Sequence, residues 1–289
     1  MRTIPALGGL GWMIVAQLCF AAMNVCTRLG SRHVPWPEIA AARFLVGAAI
    51  AVALAHVRGT SLEVTDRRGT WRRSIYGTIS ALGAFYSLSS PKVAVGDAAT
   101  LGATAPIFVA LLSGPLLGER VGRRLWLAVA MAFAGIVLLL RPSFTAAAPV
   151  AAVATGGAFF YALAMIWLRK IGPGESHEAV VLHFSLVAFG TMMVLAIPSW
   201  TWPDARSGAY LLGAGLGGGG AQLAMTRAYS LQRAMPVTAL SYLGAVFTYL
   251  LAVPLFGERP VAWQIGGALL VLAATAVVGA TSARAARRG

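Results

Sequence analysis

Arg43 stands inside the apolar run "AAARFLVGAAIAVALA", about 9 Å from the start of a helix predicted to begin at Pro37. A guanidinium at membrane depth is costly, which makes it a candidate functional group. Two uses are open to it. It can receive a substrate carboxylate, or it can bond backbone carbonyls and Glu38 near the surface, since its stem is long enough to snorkel. His183 occupies the position 140 residues later, where it can titrate or serve as a hydrogen-bonding packing residue. Asp97 is the third candidate charge site, either as a proton carrier or as the carboxylate that a helix N-terminus favours.

Uncharged polar residues supply a second set. Gln17 and Asn24 share one face of the first predicted helix, and Thr100 and Thr104 share one of the fourth. Gln222, Ser241 and Tyr242 are the candidates of the other half, with Tyr76, Ser80, Tyr161 and Trp167 adding hydroxyls and aromatic surface. Amides and hydroxyls suit a polar or zwitterionic ligand, and they equally suit hydrogen bonds between helices. Trp167, near a helix end, also fits an interface anchor.

Pro106 cannot bond to the carbonyl of Gly102, so this pair marks a kink or an exposed acceptor. The run "GAGLGGGG", which contains Gly217, serves close packing or a flexible segment. It lacks the Lys and Ser or Thr that complete a phosphate loop. HExxH, GxSxG and clustered carboxylates are absent from the sequence, so no catalytic residue, metal or cofactor is expected.

What must position these groups is a set of membrane helices. The chain has 289 residues, of which 58% are hydrophobic and 11% charged, with a mean hydropathy of +0.75. Ten apolar windows are long enough to cross about 30 Å of hydrocarbon, near 8–28, 37–57, 71–89, 95–117, 123–141, 150–169, 177–198, 207–228, 235–256 and 261–281. The expected class is an all-α polytopic membrane protein. Cys19 and Cys26 share the first window with their Cα atoms about 10 Å apart, too far for a disulfide.

The net charge of +14 is spread over short loops, which points to membrane orientation and not to nucleic acid. With the N-terminus inside, sixteen Lys and Arg fall in cytoplasmic segments, Arg72 and Arg73 among them, against six outside. That asymmetry predicts both termini in the cytoplasm.

"PLLGER" at 115–120 returns as "PLFGER" at 254–259, and "PEIAAARF" at 37–44 resembles "HEAVVLHF" at 177–184. Five predicted helices separate the copies, and an odd number inverts the second in the membrane. The expected organisation is therefore a 5+5 inverted-topology repeat, 1–145 and 146–289. Within the hexapeptide, Gly reads as a helix C-cap, and Glu119 or Glu258 as a carboxylate at the start of the next helix.

"ATLGATAPIFVALLSGPLLGER" and "PVTALSYLGAVFTYLLAVPLFGER", closing the fourth and ninth helices, resemble the EamA-type branch of the drug/metabolite transporter superfamily. The resemblance covers the chain and is greatest to bacterial exporters of amino acids, including aromatic ones. It implies a multi-pass inner-membrane carrier of small metabolites in which helices one to four and six to nine surround a cavity and helices five and ten lie outside. Substrate and lipid bilayer are then the partners. A membrane-embedded enzyme and a non-transporting membrane scaffold are the alternatives.

Overall fold

The computed structural model describes residues 8–90, 95–143, 148–256 and 261–286. Among them there are twelve α-helices and no strand: α1 Gly9–Gly30, α2 Trp36–Arg58, α3 Arg67–Ser89, α4 Val95–Gly102, α5 Ala105–Leu117, α6 Arg123–Leu140, α7 Ala148–Ile171, α8 His177–Ala196, α9 Ala205–Leu231, α10 Ala234–Ala239, α11 Leu243–Phe256 and α12 Ala262–Ala286. Each of the ten predicted windows is helical. Eight spans are long and apolar enough to cross a membrane, while α3 and α9 fall short through their arginines and glycines.

Local chemistry sets the ends. Asp66 caps α3 by accepting from the Gly69 N–H at 2.9 Å, Ser176 caps α8, and Asp204 caps α9. Asp66 starts α3 four residues before the predicted 71, and so places Arg72 and Arg73, which the charge count assigned to the cytoplasmic side, in the second turn of the helix and not in its first. Gly118 ends α5 at φ 68°, a left-handed conformation that glycine adopts without strain, as expected of a C-cap.

Two predicted windows are broken. The fourth divides at Ala103–Thr104 into α4 and α5, and the ninth divides at the 3-10 turn Leu240–Tyr242 into α10 and α11. Pro106 therefore does not kink a continuous helix. It sits in the first turn of α5, where its missing N–H needs no partner. The Thr104 hydroxyl donates to the Leu101 carbonyl at 2.6 Å, satisfying an acceptor at the end of α4. Both breaks lie about three turns before the hexapeptide prolines, Pro115 and Pro254.

The principal packing partners are α1 with α9, α3 with α7, α2 with α8, α6 with α12, α2 with α9, α3 with α8, α1 with α11 and α5 with α7. Small residues allow the closest crossings. A Cβ on Gly217 would lie 2.9 Å from the Cys19 carbonyl oxygen and from the Met23 nitrogen, so this glycine fits α9 against the α1 backbone. α9 runs unbroken through it. Leu18, Leu45, Leu127, Leu186 and Leu269 point outward, as lipid-facing side chains do.

Two buried glutamates tie α2 and α8 at their ends. Glu38, in the first turn of α2, accepts from the Thr201 backbone N–H at 2.6 Å, beyond the far end of α8. It is therefore committed to Thr201 and not to Arg43. Glu178, in the first turn of α8, accepts from Arg58 Nη1 at 2.8 Å, at the end of α2. The helices run antiparallel between the two ties.

Candidate functional site

Where α2, α3, α8 and α9 converge, Phe44 and Phe184 meet edge to face with ring centroids 5.3 Å apart. Each ring carries a guanidinium. The Arg43 Cζ lies 4.7 Å from the Phe44 centroid, and the Arg73 Cζ lies 3.8 Å from that of Phe184. Arg73 is 1% exposed and Arg43 9%. Two glycines make the space. A Cβ on Gly77 would stand 2.7 Å from Arg73 Nη1, and one on Gly218 would stand 2.7 Å from Arg43 Nε.

Arg73 Nη2 donates to Gln222 Oε1 at 2.9 Å. Its Nε and Nη1 are buried without any acceptor. Arg73 is within electrostatic reach of Arg43 and of Tyr161, whose hydroxyl contacts the Met225 sulfur at 3.6 Å. On the flank, His183 Nδ1 and Ser74 Oγ are 2.8 Å apart, and the Trp71 ring packs edge-on against the His183 imidazole.

No carboxylate neutralises this cluster among the described residues. Glu38, Asp66, Asp97, Glu119, Glu175, Glu178 and Asp204 are all engaged at helix ends or connections. Glu63 lies exposed in the α2–α3 connection. Glu258 lies outside the described residues. Burying one guanidinium without a counter-charge costs several kcal/mol, and a second cation nearby adds repulsion. Chemically, the cluster is a buried cationic site in which two Arg73 nitrogens meet no acceptor among the described residues.

Of the sequence-predicted residues, the structure brings Arg43, Tyr161, His183 and Gln222 into this cluster. Ser80 is buried one turn further along α3, and the Tyr76 ring packs near Phe160 at 5.9 Å. A second polar group surrounds the ninth-window break. Gln17 is buried against Gly244 and contacts the Met13 sulfur, Tyr242 has a buried hydroxyl with no partner, and Ser241 is half-buried beside it. The Thr100 hydroxyl in α4 is buried and unpartnered too.

The remainder lie elsewhere. Asn24 is exposed and bonds Thr248 at 3.2 Å. Trp167 is flanked by Arg72 and Lys170 at 4.5 and 4.6 Å, an arrangement of a helix end. Asp97 accepts from the Ser143 hydroxyl at 2.8 Å and so ties α4 to the segment after α6. Gly102 is exposed at the end of α4.

Arg73 is the group that the sequence reading missed. The available signal is its spacing: once Asp66 is recognised as an N-cap, Arg73, Gly77 and Ser80 fall on one helix face.

Residues 7–141 match the EamA-like transporter family. The chain carries an EamA-like transporter domain. A riboflavin transporter of Vibrio cholerae is 27% identical over 93% of this chain and 91% of its own length. A pseudopaline exporter of Pseudomonas aeruginosa is 26% identical over 90% and 92%, and an S-adenosylmethionine uptake transporter of Rickettsia felis is 22% identical over 93% and 91%. One crystal structure superposes with a TM-score of 0.84 at 21% identity, covering 93% of this chain and 96% of that one. The fold shared with that structure extends over nearly the whole chain, and the polar cluster lies where helices from before and after residue 145 meet.

Proposed function

We propose that this EamA-like protein is a secondary or facilitated carrier that exports small metabolites, amino acids foremost, across a bacterial inner membrane by alternating access. The observation that carries this reading is the buried polar cluster built by α2 and α3 from one half and α7, α8 and α9 from the other. A site shared between two halves can be exposed to either side as they rock.

The packing supports two inverted repeats. Exchanging the halves converts the α1–α9 pair into α7–α3, α2–α9 into α8–α3, and α1–α11 into α7–α5, while α2–α8 and α6–α12 map onto themselves. The helix breaks and the Glu38 and Glu178 ties obey the same exchange. In the proposed topology both termini face the cytoplasm, the Glu178–Arg58 tie closes the inner side, and the Glu38–Thr201 tie closes the outer one.

Relatives named for riboflavin, pseudopaline and S-adenosylmethionine support a small organic cargo. The purified chain in liposomes, loaded with one amino acid and diluted into a labelled one, should show counterflow without ATP. Recovery of a chemically altered substrate would support the enzyme alternative instead.

A further inference from the structure

The energetic anomaly of this molecule is its pair of buried arginines. Membrane proteins rarely bury ionised side chains, and those they bury face acidic partners, backbone carbonyls or water. Arg73 has one amide oxygen, from Gln222, and leaves Nε and Nη1 unmet at 1% exposure. Arg43 makes no hydrogen bond or ion pair among the described residues. What surrounds both is aromatic: Phe44 and Phe184, with Phe20 and Phe85 at 6.0 and 5.9 Å from the Arg43 Cζ. Ring faces partly offset a cation's lost hydration but accept no hydrogen bond of ordinary strength.

We propose that Arg73 and Arg43 together receive an oxyanion, a carboxylate or a phosphate, carried by the transported molecule. The inference rests on the carrier reading above and deepens it by naming the substrate class. The incoming anion supplies the missing counter-charge, accepts from the unmet Arg73 donors, and cancels the repulsion between the two guanidinium groups. Gly77 and Gly218 let the two guanidinium groups lie close against α3 and α9, where a side chain at either position would displace them. The same charges reject cations. An amino acid is accepted by its carboxylate, and a cationic one is disfavoured against a neutral or acidic one of similar size.

The test is a thermal-shift series on the full purified chain with matched pairs: N-acetyl-L-phenylalanine and its amide, succinate and succinamide, a sugar phosphate and the free sugar. At least one acid should raise Tm where its uncharged partner does not, and the carboxylate and phosphate arms tell which oxyanion is preferred. Arg73→Gln should keep or raise the ligand-free Tm, because an uncompensated buried charge is removed. It should also weaken acid binding at least about tenfold, the loss expected for charge-assisted hydrogen bonds. Arg73→Lys should retain part of the response. If Arg73→Gln does not fold, Arg43→Gln is read in the same assay.

Amides that stabilise as well as acids overturn the proposal. So does a response to chloride or sulfate with none to an organic acid, or a variant with lowered ligand-free Tm and an intact acid response. Counterflow of neutral or cationic solutes without any acid response overturns the oxyanion site and leaves the carrier reading standing. A chain that shows the acid response but no counterflow loses the carrier reading and keeps the site.

Discussion

The Glu119 carboxylate accepts from Arg169 Nε at 3.0 Å, and its second oxygen accepts from the Ala234 N–H at 2.9 Å. The residue thus ties the end of α5 to the end of α7 and to the start of α10. The sequence reading placed this carboxylate at the start of the next helix, α6. The dipole argument was sound, but the helix it serves is 115 residues away in the chain. Glu119→Gln keeps the shape and weakens both bonds, so an expected loss of roughly 2 kcal/mol should appear as a lowered Tm with transport per folded molecule retained. Normal Tm with abolished transport would move Glu119 into the mechanism. Glu258, its counterpart in the repeated hexapeptide, lies outside the described residues.

The two ties between α2 and α8 should have opposite effects when weakened. Glu178→Gln loosens the Arg58 end and should favour the conformation open on that side, and Glu38→Gln loosens the Thr201 end and should favour the other. Both are read by the reaction of a cysteine placed at Ser80 with an impermeant thiol reagent added from outside, in a background lacking Cys19 and Cys26. Shifts of the same sign for both variants would contradict alternating use of the ties.

Adjacent glycines in α9 should separate packing from site geometry. Gly217→Ala drives a methyl into the α1 backbone at Cys19 and Met23, which cannot yield without moving a helix, and should lower Tm by the equivalent of about 1–3 kcal/mol. Gly218→Ala meets the Arg43 side chain, which can move. Its expected result is near-normal Tm with altered substrate affinity.

The amount legible in the sequence follows the range of the interactions. Apolar windows report burial in lipid residue by residue, so the eight long apolar spans could be read, while α3 and α9 are helical without reaching that apolarity. The Phe44 and Phe184 register was visible because "PEIAAARF" and "HEAVVLHF" end on the two rings at the same offset. Arg73 was not legible as a buried group: "RRGTWRR" reads as the cationic cytoplasmic end of a helix, and only Phe184 and Gln222, from distant helices, hold the fourth of those arginines inside. The break at Thr104 was half-legible. Pro106 signalled a disturbance, but whether a proline kinks a helix or starts one depends on the hydroxyl and carbonyl pairing just before it.

Topology is tested by single cysteines in the same cysteine-free background. Ser199, after α8, should react with an impermeant thiol reagent in intact cells, and Pro173, after α7, only in permeabilised ones. The reverse pattern would place both termini outside.

A carrier whose site is shared by the two halves and centred on Arg73 must support counterflow in liposomes containing only the purified chain. Labelled acidic or zwitterionic metabolites should accumulate transiently against an unlabelled internal pool, without ATP and without chemical change. Arg73→Gln, reconstituted at equal folded amount, should abolish that accumulation. Absence of counterflow with the well-folded wild-type chain across such a panel, or undiminished counterflow in Arg73→Gln, would contradict it.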